Sequence, residues 1–424
     1  ALRAPLRLPP ALSEAELVRE FAELAARDTA AGMPSFLGAG AYRHYISAVV
    51  PALAMRGEFV TAYTPYQAEV SQGTLQAIYE WQTNICLLTG LELANASVYD
   101  GATALAEGAI MALGATGRRA LLVSRAIHPN YRAVLQTYAR GLEVEIDELG
   151  LAADGTTDLS DLGERLRSER YAALALQSPN FFGALETPGE AVAAACVASG
   201  TVPIAVIAEA LSLAVLKPPA AWGAQIAVGE AQSFGVPLSY GGPYVGFIAT
   251  TGEHVRRIPG RLVGRTVDRD GRRAFVLTLQ AREQHIRRER ASSNICTNQA
   301  HCALTATIYL AALGPHGLER VAAANLERTH RLAQRVLAIE GFSRRFAAPV
   351  FNELAIRVPR GWSAAALLEA LARRGILGGV DLGRWYPELA DCILMCATEL
   401  TTVREIEALA AALAELATRS AVHA

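Results

Sequence analysis

Four places in this chain carry residue types that could hold an anionic, ring-bearing ligand. Asp100-Gly101-Ala102-Thr103 ends an expected strand and opens an expected helix. A glycine at such a turn leaves backbone N–H groups facing outward, and a helix N-terminus favours an anion, so the turn could cradle a phosphate. The same residues also suit an ordinary strand-to-helix turn capped by Asp100 or Thr103. His128 precedes Pro129 at an expected helix start. Its ring could stack on a pyridine, or merely cap the helix. Glu209 closes an apolar strand, where a carboxylate points into the crevice of a parallel sheet and would suit a pyridinium nitrogen. A capping glutamate fits there equally. Gly241-Gly242-Pro243 with Gly246 permits close backbone approach or a hairpin. Gly38-Ala39-Gly40 lacks a preceding strand and a third glycine, so it carries no dinucleotide reading.

Two longer strings are more specific. Thr61-Ala62-Tyr63-Thr64-Pro65-Tyr66-Gln67-Ala68-Glu69-Val70-Ser71-Gln72-Gly73 is polar and aromatic, and Pro65 makes it a poor helix. Ser292-Ser293-Asn294-Ile295-Cys296-Thr297-Asn298 gathers small hydrogen-bonding side chains before a long helix, suited to an anion or an N-cap. One nucleophile is scarce: Lys217 is the only lysine, so nearly all basic charge is arginine.

The elements that position these residues follow from the apolar pattern. Strands are expected at 120–124, 143–149, 172–177, 203–208, 226–229 and 245–249, with helices at 102–114, 129–140, 158–168 and 188–199. Apolar strands alternating with helices predict a parallel sheet covered on both faces. Residues 12–31 predict an amphipathic helix with Ser13 and Glu16 as a capping box. Residues 32–75 are rich in Gly, Pro and Tyr and suit a segment that is functional or wraps a partner. A long helical stretch at 298–339 breaks at Gly314-Pro315. Strand 352–358, helix 363–374, a further strand, strand 392–397 and helix 402–417 make a small C-terminal α+β unit. The expected organisation is an N-terminal helix and interface arm at 1–75, a large α/β domain at 76–330 and a small domain at 331–424.

Composition narrows the class. A net charge of −2 gives no reason to expect nucleic acid or an anionic membrane. Six cysteines in 424 residues are not a disulfide framework. Cys392 and Cys396 lie about 13 Å apart along one strand, too far to share an ion. Cys296, His301 and Cys302 lack metal-ligand spacing, so no metal is expected. With no transmembrane run, and no apolar signal region in Ala1-Leu2-Arg3-Ala4-Pro5, a soluble cytoplasmic protein is expected.

The chain resembles the α subunits (subunit 1) of glycine dehydrogenase (decarboxylating), the P-protein of the glycine cleavage system. The matching runs are Phe36-Leu37-Gly38-Ala39-Gly40, the 61–73 string, Ala94-Asn95-Ala96-Ser97, Asp100-Gly101-Ala102-Thr103-Ala104 and Leu216-Lys217-Pro218-Pro219. Gln232-Ser233-Phe234-Gly235, Gly241-Gly242-Pro243, Leu277-Thr278-Leu279-Gln280-Ala281-Arg282-Glu283-Gln284 and the 293–298 string complete the set. They cover the chain from about residue 36 to its end. The resemblance implies the fold of fold-type I pyridoxal-phosphate enzymes: a large, mostly parallel sheet domain, a small C-terminal α+β domain and an N-terminal arm. Similar α subunits carry a further N-terminal segment before the stretch that begins here with Ala1.

The resemblance also implies an α₂β₂ assembly with a β subunit (subunit 2). That subunit carries the cofactor lysine in a His-Lys-Thr-Phe motif. Counting back from Pro243 puts Gln232 at the lysine, and Glu209 falls where β has its pyridine-pairing Asp. A glutamine amide cannot form a Schiff base. The expectation is a vestigial cofactor site at Gly101, Thr103, His128, Glu209 and Gln232, with pyridoxal phosphate covalently on β. Tyr63, Thr64, Tyr66 and Gln67, with Ser293, Asn294 and Thr297, are expected to reach the β active site. The implied reaction decarboxylates glycine and passes the aminomethyl group to the lipoyl arm of the H-protein. Two alternatives remain: a self-sufficient pyridoxal enzyme using Lys217, and a purely structural or regulatory partner.

Overall fold

The computed structural model describes residues 7–291 and 293–422. The signal-region reading of residues 1–5 and the first serine of the 292–298 string lie outside the described residues.

Seven strands form the main sheet: β1 (Leu93–Ala94), β2 (Ala120–Ser124), β3 (Glu145–Leu149), β4 (Tyr171–Gln177), β5 (Val202–Ile207), β6 (Ile226–Glu230) and β7 (Gly246–Thr250). Their order is β1-β7-β6-β5-β4-β2-β3. Strands β2 to β6 run parallel, while β7 is antiparallel to both β6 and β1. Every residue of β2, β4, β5, β6 and β7 is buried, which requires cover on both faces.

The period-2 alternation of strands divides that cover. Ile204, Val206, Ile226 and Val228 pack against the helices Gly101–Thr116 and Pro129–Leu142. Ala205, Ile207 and Ala227 face the opposite core, with Trp81 and Ile85 of helix Gln72–Thr89 and Ala303 and Ala306 of helix Ala300–Leu337. The Gly101–Thr116 helix is rich in Gly and Ala, so it lies close on the sheet: a Cβ at Gly108 would come 2.8 Å from Val228. Edge strand β3 carries Glu145, Asp147 and Glu148 and stays largely in contact with solvent, which discourages further pairing.

The C-terminal unit is an antiparallel sheet, β10 (Ser343–Arg344), β11 (Glu353–Arg357), β13 (Cys392–Cys396) and β12 (Val380–Asp381), in that order. Helices Ala364–Ala372 and Val403–Val422 flank it. Helix Ala300–Leu337 serves both units. Its Leu332 and Val336 pack into the small core. It bends at Gly314, whose φ of 61° and ψ of 179° leave the helical region just before Pro315.

Three expectations need correction. The first helix has the capping box of Ser13 and Glu16 but spans only Glu14–Ala26, ending at Arg27. No residue of it is buried, so nothing carries it further. The 158–168 helix shrinks to Leu162–Leu166. A two-stranded ribbon, β8 (Leu262–Val267) with β9 (Arg273–Thr278), was not anticipated. Its outer half is exposed and arginine-rich, which hid the apolar signal. Its inner half places Val263, Phe275 and Leu277 on Leu75 and Ile78.

Candidate functional site

The crevice beyond the C-terminal ends of β5 and β6 is filled by the chain itself. Residues 38–45 cross it and meet three of the residues expected of a cofactor site, His128, Glu209 and Gln232. Gln232 is buried, and its amide clasps one residue of this arm: Oε1 accepts the Tyr42 N–H at 2.9 Å, and Nε2 donates to the Tyr42 carbonyl at 3.0 Å. Nε2 also donates to the Val236 carbonyl at 2.8 Å. Every strong donor and acceptor of the amide is thus engaged within the chain.

Glu209 lies under the arm residue His44. Its Oε2 is 3.2 Å from His44 Nε2 and accepts from Asn352 Nδ2 at 3.0 Å, while Oε1 caps the Leu211 N–H at 2.9 Å. His44 Nδ1 faces Glu399 Oε2 at 2.8 Å. Burial opposes a charge on this imidazole, but the Glu209 and Glu399 carboxylates outweigh it and raise its pKa to about 10. An imidazolium therefore occupies the place opposite Glu209.

His128 caps its helix as well, with Nδ1 accepting the Asn130 N–H at 3.1 Å. That leaves the proton on Nε2, which donates to the Ala39 carbonyl at 2.8 Å. Burial keeps the ring neutral by lowering its pKa. Gly40 lies so close that a Cβ on it would fall 2.6 Å from His128 Nε2, and its φ is +92°. Both facts require glycine there.

The turn before helix Gly101–Thr116 is occupied too. Asp100 Oδ1 accepts the Thr103 N–H at 2.7 Å. The Gly101 N–H donates to Glu230 Oε2 at 3.0 Å. Glu230 Oε1 accepts from Gln232 N at 3.1 Å and Val245 N at 2.9 Å. Burial raises the Glu230 carboxyl to about 7. A Cβ at Gly101 would lie 2.2 Å from the Tyr131 hydroxyl and 3.0 Å from Glu230 Cβ, so the space before this helix end is packed.

The arm has a pH signature. His44 is more basic in the fold than its ordinary 6.5, so its contribution is complete below 6.5 and lost as pH rises through about 10. Glu353, which accepts from Ala39 N and the Tyr42 hydroxyl, is raised to about 7 by burial. Its ionisation between about 4.5 and 7 also weakens the fold as pH rises. Hydrogen exchange at residues 38–45 is expected to accelerate steeply between about pH 7 and 10 and to flatten in His44→Gln.

The second region is a cavity of about 480 Å³ whose lining includes Met55, Phe59, Tyr63, Thr64, Thr297 and Asn298. It brings Tyr63 and Thr64 of the first string beside Thr297 of the second. Tyr66, Gln67, Ser293 and Asn294 do not line it. Tyr66 instead packs its ring 5.8 Å from the Arg261 guanidinium carbon. Ser293 Oγ accepts the Ile295 N–H at 3.0 Å, and Asn294 and Gln67 are exposed.

Arg261 is the residue that sequence reading missed. It is 4% exposed and donates to Thr297 Oγ1, Asn298 Oδ1 and the Cys296 carbonyl at 3.1, 2.9 and 3.0 Å. Four of the family-matching runs converge on its loop. Ala96 N donates to the Arg261 carbonyl at 2.9 Å, and Arg282 Nη2 donates to the Gly260 carbonyl at 2.8 Å. The 61–73 and 293–298 strings meet its side chain. That convergence exists only in the fold, and no local sequence signal marks Arg261.

Lys217 lies elsewhere. It is exposed on a separate cavity of about 420 Å³ with Leu176, Leu213 and Trp222, none of which touches the Gln232 clasp. All six cysteines are free. Among the described residues no His, Cys, Asp and Glu group could hold a metal, and no helix is long and apolar enough to cross a membrane.

This architecture is that of the fold-type I pyridoxal-phosphate-dependent enzymes. A Burkholderia pseudomallei sphingosine-1-phosphate lyase superposes with a TM-score of 0.72 over 99% of this chain and 94% of its own, at 14% identity, a likeness of fold alone. Within that class the chain belongs to the glycine cleavage system P-protein family, whose family model matches residues 1–413. A solved glycine decarboxylase (P-protein) of the glycine cleavage system, in inhibitor-bound form, is 48% identical with a TM-score of 0.92, covering 98% of this chain and 92% of that one. The probable glycine dehydrogenase (decarboxylating) subunit 1 of Moorella thermoacetica is 52% identical over 96% of this chain and 90% of its own. That of Thermomicrobium roseum is 49% identical over 97% and 91%.

Proposed function

We propose that this chain is the half of a two-subunit glycine decarboxylase that carries no cofactor. It would work in the cytoplasm with subunit 2, as α₂β₂, and the pair would decarboxylate glycine and pass the aminomethyl group to the lipoyl group of the H-protein. Pyridoxal phosphate, bound by subunit 2, supplies the electron sink for the carbon that loses CO₂.

One observation carries this reading: the chain's own crevice is filled at every point where the cofactor would be held. A glutamine stands at the lysine position. The Glu230 carboxylate takes the Gly101 N–H that a phosphate would need. The His44 imidazolium pairs with the carboxylate that a pyridinium would need. The imidazole on which a ring would stack donates instead to the Ala39 carbonyl of the arm, with Gly40 packed against its edge. The residues present therefore do not fit pyridoxal phosphate, which supports a partner that holds the cofactor instead.

The useful residues of this chain would then serve its partner's site: Tyr63, Thr64, Tyr66, Gln67, Ser293, Asn294 and Thr297. Their setting supports this. More than half of the large apolar side chains exposed among the described residues lie between Leu8 and Val70. They include Leu17, Phe21 and Leu24, one face of the Glu14–Ala26 helix, and continue through Val60, Tyr63 and Tyr66. We read residues 1–75 as the interface arm, 76–330 as the large domain and 331–424 as the small one. Phe21→Glu with Leu17→Glu is expected to weaken assembly with subunit 2 by roughly tenfold or more, since each buried side chain contributes about 1.5–3 kcal/mol. Sedimentation of the mixed subunits measures it.

Reconstitution tests the reading. Glycine–CO₂ exchange should require both subunits, and full activity of subunit 2 alone would overturn it.

A further inference from the structure

We infer that Arg261 is an anion-binding residue, taking the carboxylate or phosphate oxygens of a ligand presented by the partner subunit at the 480 Å³ cavity. This rests on the reading that the cavity completes the partner's site.

Arg261 carries an unbalanced charge. A guanidinium carries five N–H donors and a positive charge. Arg261 spends three donors on neutral oxygens: a hydroxyl, an amide and a backbone carbonyl. Its Nε is buried and meets no acceptor among the described residues. Among the described residues no carboxylate pairs with it, although it is 4% exposed. Burying a cation without a counter-ion is costly, and the cost is recovered when an anion arrives.

The surroundings point the same way. No acidic residue is among those that line the cavity, while Arg261 and His301 are. The helix Ala300–Leu337 starts at the same wall, and its N-cap Gln299 offers no side-chain cap. Its first-turn N–H groups and dipole add a second, independent attraction for negative charge. Hydroxyls from Tyr63, Thr64 and Thr297 supply further donors, and Met55, Phe59 and Val60 make the remaining wall apolar. The cavity therefore suits a small ligand with an oxyanion at one end and an apolar or flat body. Both a phosphate ester and an amino-acid carboxylate meet that description, so the shared chemistry is the oxyanion.

The experiment uses the assembled complex with subunit 2, loaded with pyridoxal phosphate, carrying Arg261→Gln or Arg261→Lys in this chain. Cofactor retention on dilution is followed by visible absorbance, and the KM for glycine is measured separately from kcat. If the phosphate is the ligand, Arg261→Gln releases cofactor about tenfold more readily with an unchanged KM for glycine. If the glycine carboxylate is the ligand, KM rises about tenfold and retention is unchanged. In either case Arg261→Lys, which keeps the charge, recovers part of the loss. Retention and KM both within twofold of wild type overturn the inference. So does a loss in Arg261→Lys as large as in Arg261→Gln, which marks a purely structural clamp. Tyr66→Phe and Gln67→Ala separate the two levels. If they lower turnover while Arg261 variants change neither quantity, the anion inference fails alone. If none of the four matters, the partner-site reading fails with it.

Discussion

Gln232→Lys is expected to yield a chain that still takes up no pyridoxal phosphate and is less stable than the parent. A lysine has no acceptor for the Tyr42 N–H, so that group loses its 2.9 Å partner inside the fold. The carbonyls of Tyr42 and Val236 lose the amide that spans them. A buried polar group left unpaired costs about 1–3 kcal/mol, and a new buried ammonium adds to that. A fall in Tm of several degrees or more is expected for a loss of roughly 2–4 kcal/mol. The added amine gains nothing in return. Glu230 still holds Gly101, His44 still holds Glu209, and Gly40 still lies on His128. Absorbance titration with pyridoxal phosphate should show no visible band. A band in the single variant would mean that the arm opens readily.

The second large effect is expected across the interface. Tyr63 is 85% exposed and Tyr66 53%, yet both are large and aromatic. A complex carrying Tyr63→Phe with Tyr66→Phe should turn over roughly 10–100-fold more slowly if the hydroxyls contact the reacting site, because charge-directed donors there act mainly in the transition state. The phenylalanines keep the rings, including the contact with Arg261, so assembly should be unchanged. Sedimentation together with glycine–CO₂ exchange separates loss of turnover from loss of complex. Unchanged turnover in an intact complex would favour a purely structural partner.

Much of the frame was legible because strands buried on both faces read as unbroken apolar runs, as in Tyr171–Gln177 and Val202–Ile207. The ribbon β8–β9 was not, because half of it carries charge in solvent. Residues 32–75 read as one segment, functional or wrapping a partner. The structure divides them: 38–45 turn inward to fill the chain's own crevice, and most of 51–70 is exposed. Nothing local marks that division, since Tyr42 and Gln232 meet across 190 positions. The ordinary capping roles considered for Asp100, His128 and Glu209 are all present. What sequence could not show is that Glu230, at the end of a buried strand, closes the turn those caps leave open. Arg261 escaped for a similar reason. Its significance lies in burial and in partners from two distant strings.

The most direct measurement is borohydride reduction of the reconstituted complex with pyridoxal phosphate, followed by counting and mapping the fixed cofactor. One equivalent per pair of subunits, attached to subunit 2 and absent from this chain, is the predicted result. A second equivalent, or an adduct on Lys217, would contradict the account of a closed crevice.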